Sequence, residues 1–438
     1  MSMWNAKRSK KLLTACTLLL SAAQAMSANP IMGAVGEIKP LVDVRVRYEN
    51  VEQVPLVEEA DAGTIRARLG IETGKAWNTA LLVEGEFVTP WLTDYRPDPS
   101  VPTMTAYPVV PDPEAYELNR LHLTNTSIAN TTITLGRQRL NIDDQRFVGN
   151  VGWRQNEQTF DALRVVNKPG GGNFTFDATY SNRVNRIFGD DSPQGDYKGD
   201  LFFGNAAYQF KIGKLTAFGY FLDFDPILPP VVAAGLNPAR VSTQTLGVRF
   251  AGERPLSKFK LGYAASYAMQ DDHGANPLVT AASPDTLEND YYLAELTATY
   301  KQFSLLLGNE VLEGNGTVGF SAPLGTLHKF QGWVDKFLTT PAFGIDDKYA
   351  TFTTLFKGVG PFDTVTAIAA YHTYDSELMS FDYGDEINFS LAAKWQRFTG
   401  MIKYGDYKID TPILATPGNA GSLLNDTKKL WVQVDFVW

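Results

Sequence analysis

Hydrophobic and polar residues alternate one by one along much of this 438-residue chain. The last ten residues show it most cleanly. Leu430, Val432, Val434, Phe436 and Trp438 form an unbroken apolar stripe, while Lys429, Gln433 and Asp435 hold the other register. Period-two alternation marks a β-strand with two unlike faces. The first such segment is Leu41–Glu49, where Val42, Val44, Val46 and Tyr48 oppose Asp43, Arg45, Arg47 and Glu49. Thr64–Thr73, Thr79–Val88 and the stretches around Phe176, Tyr263 and Phe389 repeat it.

The spacers separate two architectures that share such strands. Short turns fall at Gly74–Asn78, Ser127–Asn130, Asn167–Gly172, Lys211–Lys214, Gly252–Lys258, Lys301-Gln302, Lys357–Phe362 and Gln396-Arg397. Long connections lie between them, at about 50–63, 89–115, 138–158, 182–199, 225–241, 270–289, 313–347, 375–383 and 408–426. A water-soluble sandwich gives no reason for short and long to alternate. A transmembrane barrel does, because its periplasmic turns are tight and its extracellular loops long. The pattern therefore predicts an all-β chain: a transmembrane antiparallel β-barrel of about 18 strands (16–18), integral to a Gram-negative outer membrane. In that class a terminal aromatic is the signal read by the assembly machinery, which assigns the role to Trp438. The aromatics Tyr48, Trp77, Trp91, Tyr208, Tyr220, Tyr300, Tyr349, Tyr371 and Tyr404 fall near strand ends, where interfacial girdles lie.

The amino terminus agrees with export. Lys7, Arg8, Lys10 and Lys11 precede a short apolar run, Leu12 to Ala23, and Ala23-Gln24-Ala25 is a small-x-small cleavage site. Residues 1–25 read as a signal peptide, 26–40 as a periplasmic segment, and 41–438 as one barrel domain. Leu13-Thr14-Ala15-Cys16 resembles a lipoprotein box, but Cys16 stands too close to Lys11 to leave an apolar region between them. Cys16 is the only cysteine, so cleavage after Ala25 leaves no disulfide, thiolate metal site or cysteine nucleophile. The formal charge of −9 falls to −13 once the four cations before Ala25 are removed, a balance that argues against nucleic acid as a partner.

Candidate chemistry lies in the polar register. Arg45, Arg47, Arg66 and Arg68 fall on the first two strands, and Arg137, Arg139, Arg146 and Arg154 cluster around one long connection. In a water-filled barrel these guanidinium groups are partly solvated. Each contact with an anion then contributes about 1–4 kcal/mol, weak enough for a solute to slide past and leave. The alternative is that they brace the wall against Asp43, Glu72, Glu84 and Glu86, and the two roles are compatible. The stretch Gly136–Ala162 is too rich in charge pairs for a plain loop, and its composition suits a segment folded into the pore.

That stretch also carries a resemblance. Gly136-Arg137-Gln138, Asp144-Gln145-Arg146-Phe147-Val148-Gly149, Trp153-Arg154-Gln155 and Phe160-Asp161-Ala162 resemble the alginate export family of outer-membrane porins. Phe330–Pro341 and the Asp382–Glu386 and Lys403–Tyr407 segments are similar to it as well. The resemblance implies a monomeric barrel with an arginine-lined constriction for anionic polyuronate chains. It places Arg137, Arg139, Arg146, Arg154 and Asp144 at that constriction. The implied partners are outer-membrane lipid, lipopolysaccharide, the assembly machinery and an anionic oligo- or polysaccharide, with no cofactor and no metal. A general or differently selective porin is the alternative. A barrel protease built on Asp223, Asp225, Asp271, Asp272 and His273 is the remote one. Asp190-Asp191 and Asp346-Asp347 lack the spacing of a dedicated calcium site.

Overall fold

The computed structural model describes residues 30–100, 102–227, 238–274, 287–409 and 425–438. The signal segment with Cys16 lies outside the described residues, as do the centres of the connections at 225–241, 270–289 and 408–426. A short helix, α1 (Pro30–Gly36), leads into an 18-stranded antiparallel sheet. The strands are β1 (Lys39–Gln53), β2 (Ala60–Glu72), β3 (Thr79–Asp94), β4 (Ala115–Asn125), β5 (Thr131–Gln138) and β6 (Thr159–Asn167). Then come β7 (Phe174–Asn185), β8 (Asp196–Phe210), β9 (Gly213–Phe224), β10 (Thr243–Leu256), β11 (Phe259–Asp272) and β12 (Asn289–Tyr300). The last six are β13 (Phe303–Leu312), β14 (Ile345–Val359), β15 (Phe362–Asp375), β16 (Asp382–Trp395), β17 (Phe398–Lys408) and β18 (Thr427–Val437).

Each strand pairs with its neighbours in sequence, and β18 closes on β1 with Val44 opposite Phe436 and Tyr48 opposite Val432. Closure removes every sheet edge, so all main-chain groups of the wall can pair within it. Short turns sit at one end and long connections at the other, as the spacing predicts. The connection from β1 to β2 is shorter than expected, because both strands run on to Gln53 and Ala60.

The alternation sorts the faces. Val46, Leu69, Phe87, Leu123, Leu135, Phe176, Leu305, Phe389 and Val434 point outward and are exposed on the isolated chain. Such a belt is stable only against lipid. Near the long-loop end, outward tyrosines donate to carboxylates: Tyr116 to Glu114, Tyr180 to Asp200, Tyr267 to Asp290 and Tyr404 to Asp406. The phenol ring faces lipid there and its hydroxyl faces the wet interface. Tyr220 and Tyr349 are corrections to the girdle reading. Tyr220 is buried among Phe147, Phe203 and Phe218, and Tyr349 donates to Glu295 and stacks on His372, so both lie in the lumen. They occupy the polar register, which strand-end position alone does not reveal.

Candidate functional site in the barrel lumen

Two long connections fold into the lumen, 139–158 between β5 and β6 and 313–344 between β13 and β14. Their own apolar residues drive this. Leu140, Phe320 and Leu324 are fully buried, and Phe147 packs on Phe218, Tyr291 and Phe320 at ring distances of 5.4, 5.2 and 5.9 Å. The two segments are stitched together. Gly149 N–H donates to the Leu324 carbonyl (2.9 Å), Thr326 N–H donates to that of Gln145 (2.9 Å), and Gln158 Nε2 bridges the Gly149 and Leu324 carbonyls. A side chain at Gly149 would strike Thr326 and Gln145, so this close approach requires glycine.

The arginines of β1 and β2 hold the first segment against the wall. Arg45 Nη1 donates to the carbonyls of Gly152 (3.2 Å) and Trp153 (2.9 Å), and its Nε donates to Asp435 (2.8 Å). Arg47 Nη2 donates to the Trp153 carbonyl (2.6 Å), and Arg68 Nη2 donates to that of Gln155 (3.1 Å). Arg66 pairs with Asp43, and Arg68 pairs with Glu86 and, at 3.4 Å, with Glu157. Of the bracing partners foreseen, Asp43 and Glu86 are engaged here and Glu84 pairs with Arg120 (2.7 Å), whereas Glu72 forms no ion pair among the described residues. Arg47 and Arg66 are fully buried, and Arg68, Arg146 and Arg154 nearly so. Partial solvation, the sequence expectation, fails for these five because the inserted segments cover them.

The remaining candidates are also engaged. Arg137 is a correction to the constriction reading: it stands opposite Leu121 on the outward face that Leu135 also holds, and there it is bidentate to Asp161 (2.8 and 3.1 Å). Arg139 bonds Glu157 (2.5 Å) and approaches Glu84 (3.5 Å). Arg146 bonds Glu310 (2.8 Å) and lies over the Phe330 ring (4.9 Å). Arg154 joins Glu49 (3.0 Å) on β1 to Asp335 (2.9 Å) of the second segment. Asp144 meets Arg249 of β10 (2.9 Å). Trp438 sits at the seam, donating from its N–H to the Val42 carbonyl (2.9 Å) with the Arg397 guanidinium 3.3 Å over its ring.

A second cluster is less evident from the sequence. Lys403 of β17 has its ammonium 4.2 Å from the Trp153 ring, 4.0 Å from Trp333 and 5.3 Å from Trp431. Its Nζ also donates to His328 Nε2 (2.7 Å), and His328 Nδ1 donates to Asp335 (2.7 Å). The His328 ring stacks on Trp153 at 4.2 Å and 6°. Burial and the adjacent Lys403 push the His328 pKa down to about 3, against the opposing pull of Asp335, so the ring is neutral. One signal did mark the cage. Trp431 interrupts the polar register of β18, and an aromatic there must face the lumen.

The residues named for the protease alternative lie at the long-loop end of β9 and β11. Asp223 and Asp271 hold outward positions on their strands, and the His273 ring lies edge-on to Phe221 at 5.6 Å. Among the described residues no group of three metal-ligating side chains could hold an ion.

Comparison with known proteins places this geometry. The alginate export family model matches residues 109–273, a span that includes the first inserted segment. No curated protein is matched by sequence. Solved structures are similar in fold. The outer membrane protein OpdK of Pseudomonas aeruginosa superposes with a TM-score of 0.65 at 13% identity, over 93% of this chain and 100% of its own. OccAB4 of Acinetobacter baumannii gives a TM-score of 0.66 at 12% identity, over 92% and 98% of the two chains. A structure of OpdK with vanillate gives 0.63 at 12% identity, over 93% and 100%. The chain is thus an 18-stranded barrel of the outer-membrane porin fold, and over residues 109–273 it matches the alginate export family.

Proposed function

We propose that this barrel is a passive outer-membrane channel for anionic saccharides, polyuronates foremost. The observation that supports the reading is the arginine-dense lumen between β1 and the first inserted segment. There Arg45 and Arg139 keep side-chain exposures of 13 and 28% while their neighbours are sealed. These two border the water-filled path. Their carboxylate partners leave donors free to meet a passing anion, and the geometry favours brief contacts over tight binding.

A differently selective porin is the second reading. It is favoured by the pairing of all eight arginines with carboxylates of the wall or the inserted segments, which lowers the net positive field along the path. The test is the reversal potential of the refolded protein in a planar bilayer under a salt gradient, for the native chain and for Arg45→Ala with Arg139→Ala. Anion selectivity that weakens in a folded double variant supports the proposal. An unchanged reversal potential removes the arginines from it, and cation selectivity in the native protein favours the second reading.

A further inference from the structure

We propose that the short-turn mouth, facing the periplasm, is a cationic capture site for the anionic chains, so that they are taken up faster from that side. The proposal rests on the anionic-solute reading above. Six of the eight short turns carry a cation: Lys75, Lys168, Lys211, Lys258, Lys301 and Arg397. All six are exposed. Just inside the same rim, Lys39, Lys260, Lys357 and Lys394 occupy lumenal positions and are exposed as well. Their sequence neighbours Phe259, Phe356 and Trp395 are exposed on the lipid side, which fixes the lysines on the other.

Few charges oppose them. The carboxylates at this rim are Glu37, Glu72, Glu253, Asp363 and Asp435, the last bound by Arg45 (2.8 Å), and of the ten cations only Lys260 forms an ion pair among the described residues, with Glu253 at 2.8 Å, while Lys214 beside them is taken by Asp143 of the first inserted segment (2.7 Å). The opposite mouth has the reverse sign. Exposed carboxylates such as Glu58, Glu59, Asp190, Asp191, Asp225 and Asp271 outnumber the exposed lysines there, Lys198, Lys348 and Lys408. An overall negative chain thus presents a positive ring at one end, and its sign matches the proposed solute.

The physical consequence is kinetic. A passive pore cannot change the equilibrium across the membrane, but a mouth of complementary charge raises the local concentration of the solute. Steering of this kind accelerates association by about 10- to 1,000-fold at low ionic strength. It fades when the screening length falls from about 10 Å at 0.1 M salt to about 3 Å at 1 M. Phospholipid headgroups could also meet the outermost turns. The four lysines inside the rim point into the water path, and they favour the solute as the occupant.

The experiment is single-channel current block by a defined alginate oligosaccharide added to one chamber at a time. Orientation is read from a thiol label on Met379→Cys, which is highly exposed on a long-loop connection. The expected result is an association rate at least about 10-fold higher from the short-turn side at low salt, converging with the other side at about 1 M. A variant with Lys168, Lys258, Lys301, Lys357 and Lys394 changed to Gln should lose the asymmetry, and the matched Lys→Arg variant should keep it. Equal block from both sides of the native channel overturns the capture site and leaves the anionic-solute reading standing. So does an asymmetry that survives both high salt and the Gln variant. An open channel with no block from either side overturns both.

Discussion

Arg154, in the first inserted segment, ties that segment by buried ion pairs to the wall and to the second segment, and its removal tests whether the two are a seated plug. Its guanidinium spans Glu49 on β1 and Asp335 in the 313–344 segment, with Asp112 at 3.8 Å. All three carboxylates are buried. Breaking a buried pair by deleting one partner costs about 3–5 kcal/mol, because the surviving charge is left without compensation. Asp335 retains His328 (2.7 Å) and Lys429 (3.3 Å), so most of the cost falls on Glu49, whose Oε1 already lacks a hydrogen bond. The low end of the range, about 3 kcal/mol, is therefore expected for Arg154→Met, which keeps the stem that packs in the lumen. At 1.4 kcal/mol per decade, that raises the population of unseated segments by about 100-fold. The 18-stranded ladder does not depend on this contact, so the barrel should still fold and shift in unheated electrophoresis. The assay is single-channel recording, where Arg154→Met should show frequent excursions to a larger conductance. Adding Glu49→Gln removes the stranded charge and should recover most of the native trace, a coupling that a double-mutant cycle measures. A folded Arg154→Met channel with native conductance and no excursions would refute the idea that these ion pairs seat the plug.

Acid should loosen the same latch through His328. Its folded-state pKa lies below the ordinary value, so the unseated state binds more protons between about pH 3 and 6.5, and seating weakens as pH falls through that window. At pH 5 the loss is about 2 kcal/mol, visible as more excursions than at pH 7 in the native channel and as a smaller pH effect in His328→Gln. Lys403→Met should also raise excursion frequency by removing the ammonium from its tryptophan cage, a cation–π contribution of about 2 kcal/mol when desolvated, and Lys403→Arg should lose less. Leu135→Arg places a charge in the lipid belt and should cost about 2–4 kcal/mol of barrel stability by urea titration in vesicles, whereas the lumenal neighbour Thr134→Arg should cost far less.

The barrel was legible in the sequence because each strand carries its own two-faced pattern, and the spacer alternation adds the one fact that separates a membrane barrel from a sandwich. β16 and β18 show this: Phe389 and Val434 are both apolar and exposed, as their period-two neighbours require. The site was legible only in part, and the reason is physical. Alternation states which face a residue joins, so Arg45, Arg47, Arg66 and Arg68 could be placed in the lumen. It carries no information on what fills the lumen opposite them. Arg45, Arg47 and Arg68 are covered by carbonyls of residues 152–155, at least 80 positions away from β2, whereas Arg66 is held by Asp43 of the neighbouring strand. The partners of Arg154 show the same limit. Glu49 and Asp335 lie at sequence separations of 105 and 181, and no local pattern joins them. Trp431 and Lys403 lie between these extremes. Trp431 departs from the period, an indole in a polar register, whereas Lys403 keeps the lumenal register of β17 and is singled out only by the indoles around it. Such departures from the period are where a lumenal site in a barrel of this kind can be sought from sequence alone, because the wall needs only alternation and every exception to it must be satisfied by something inside.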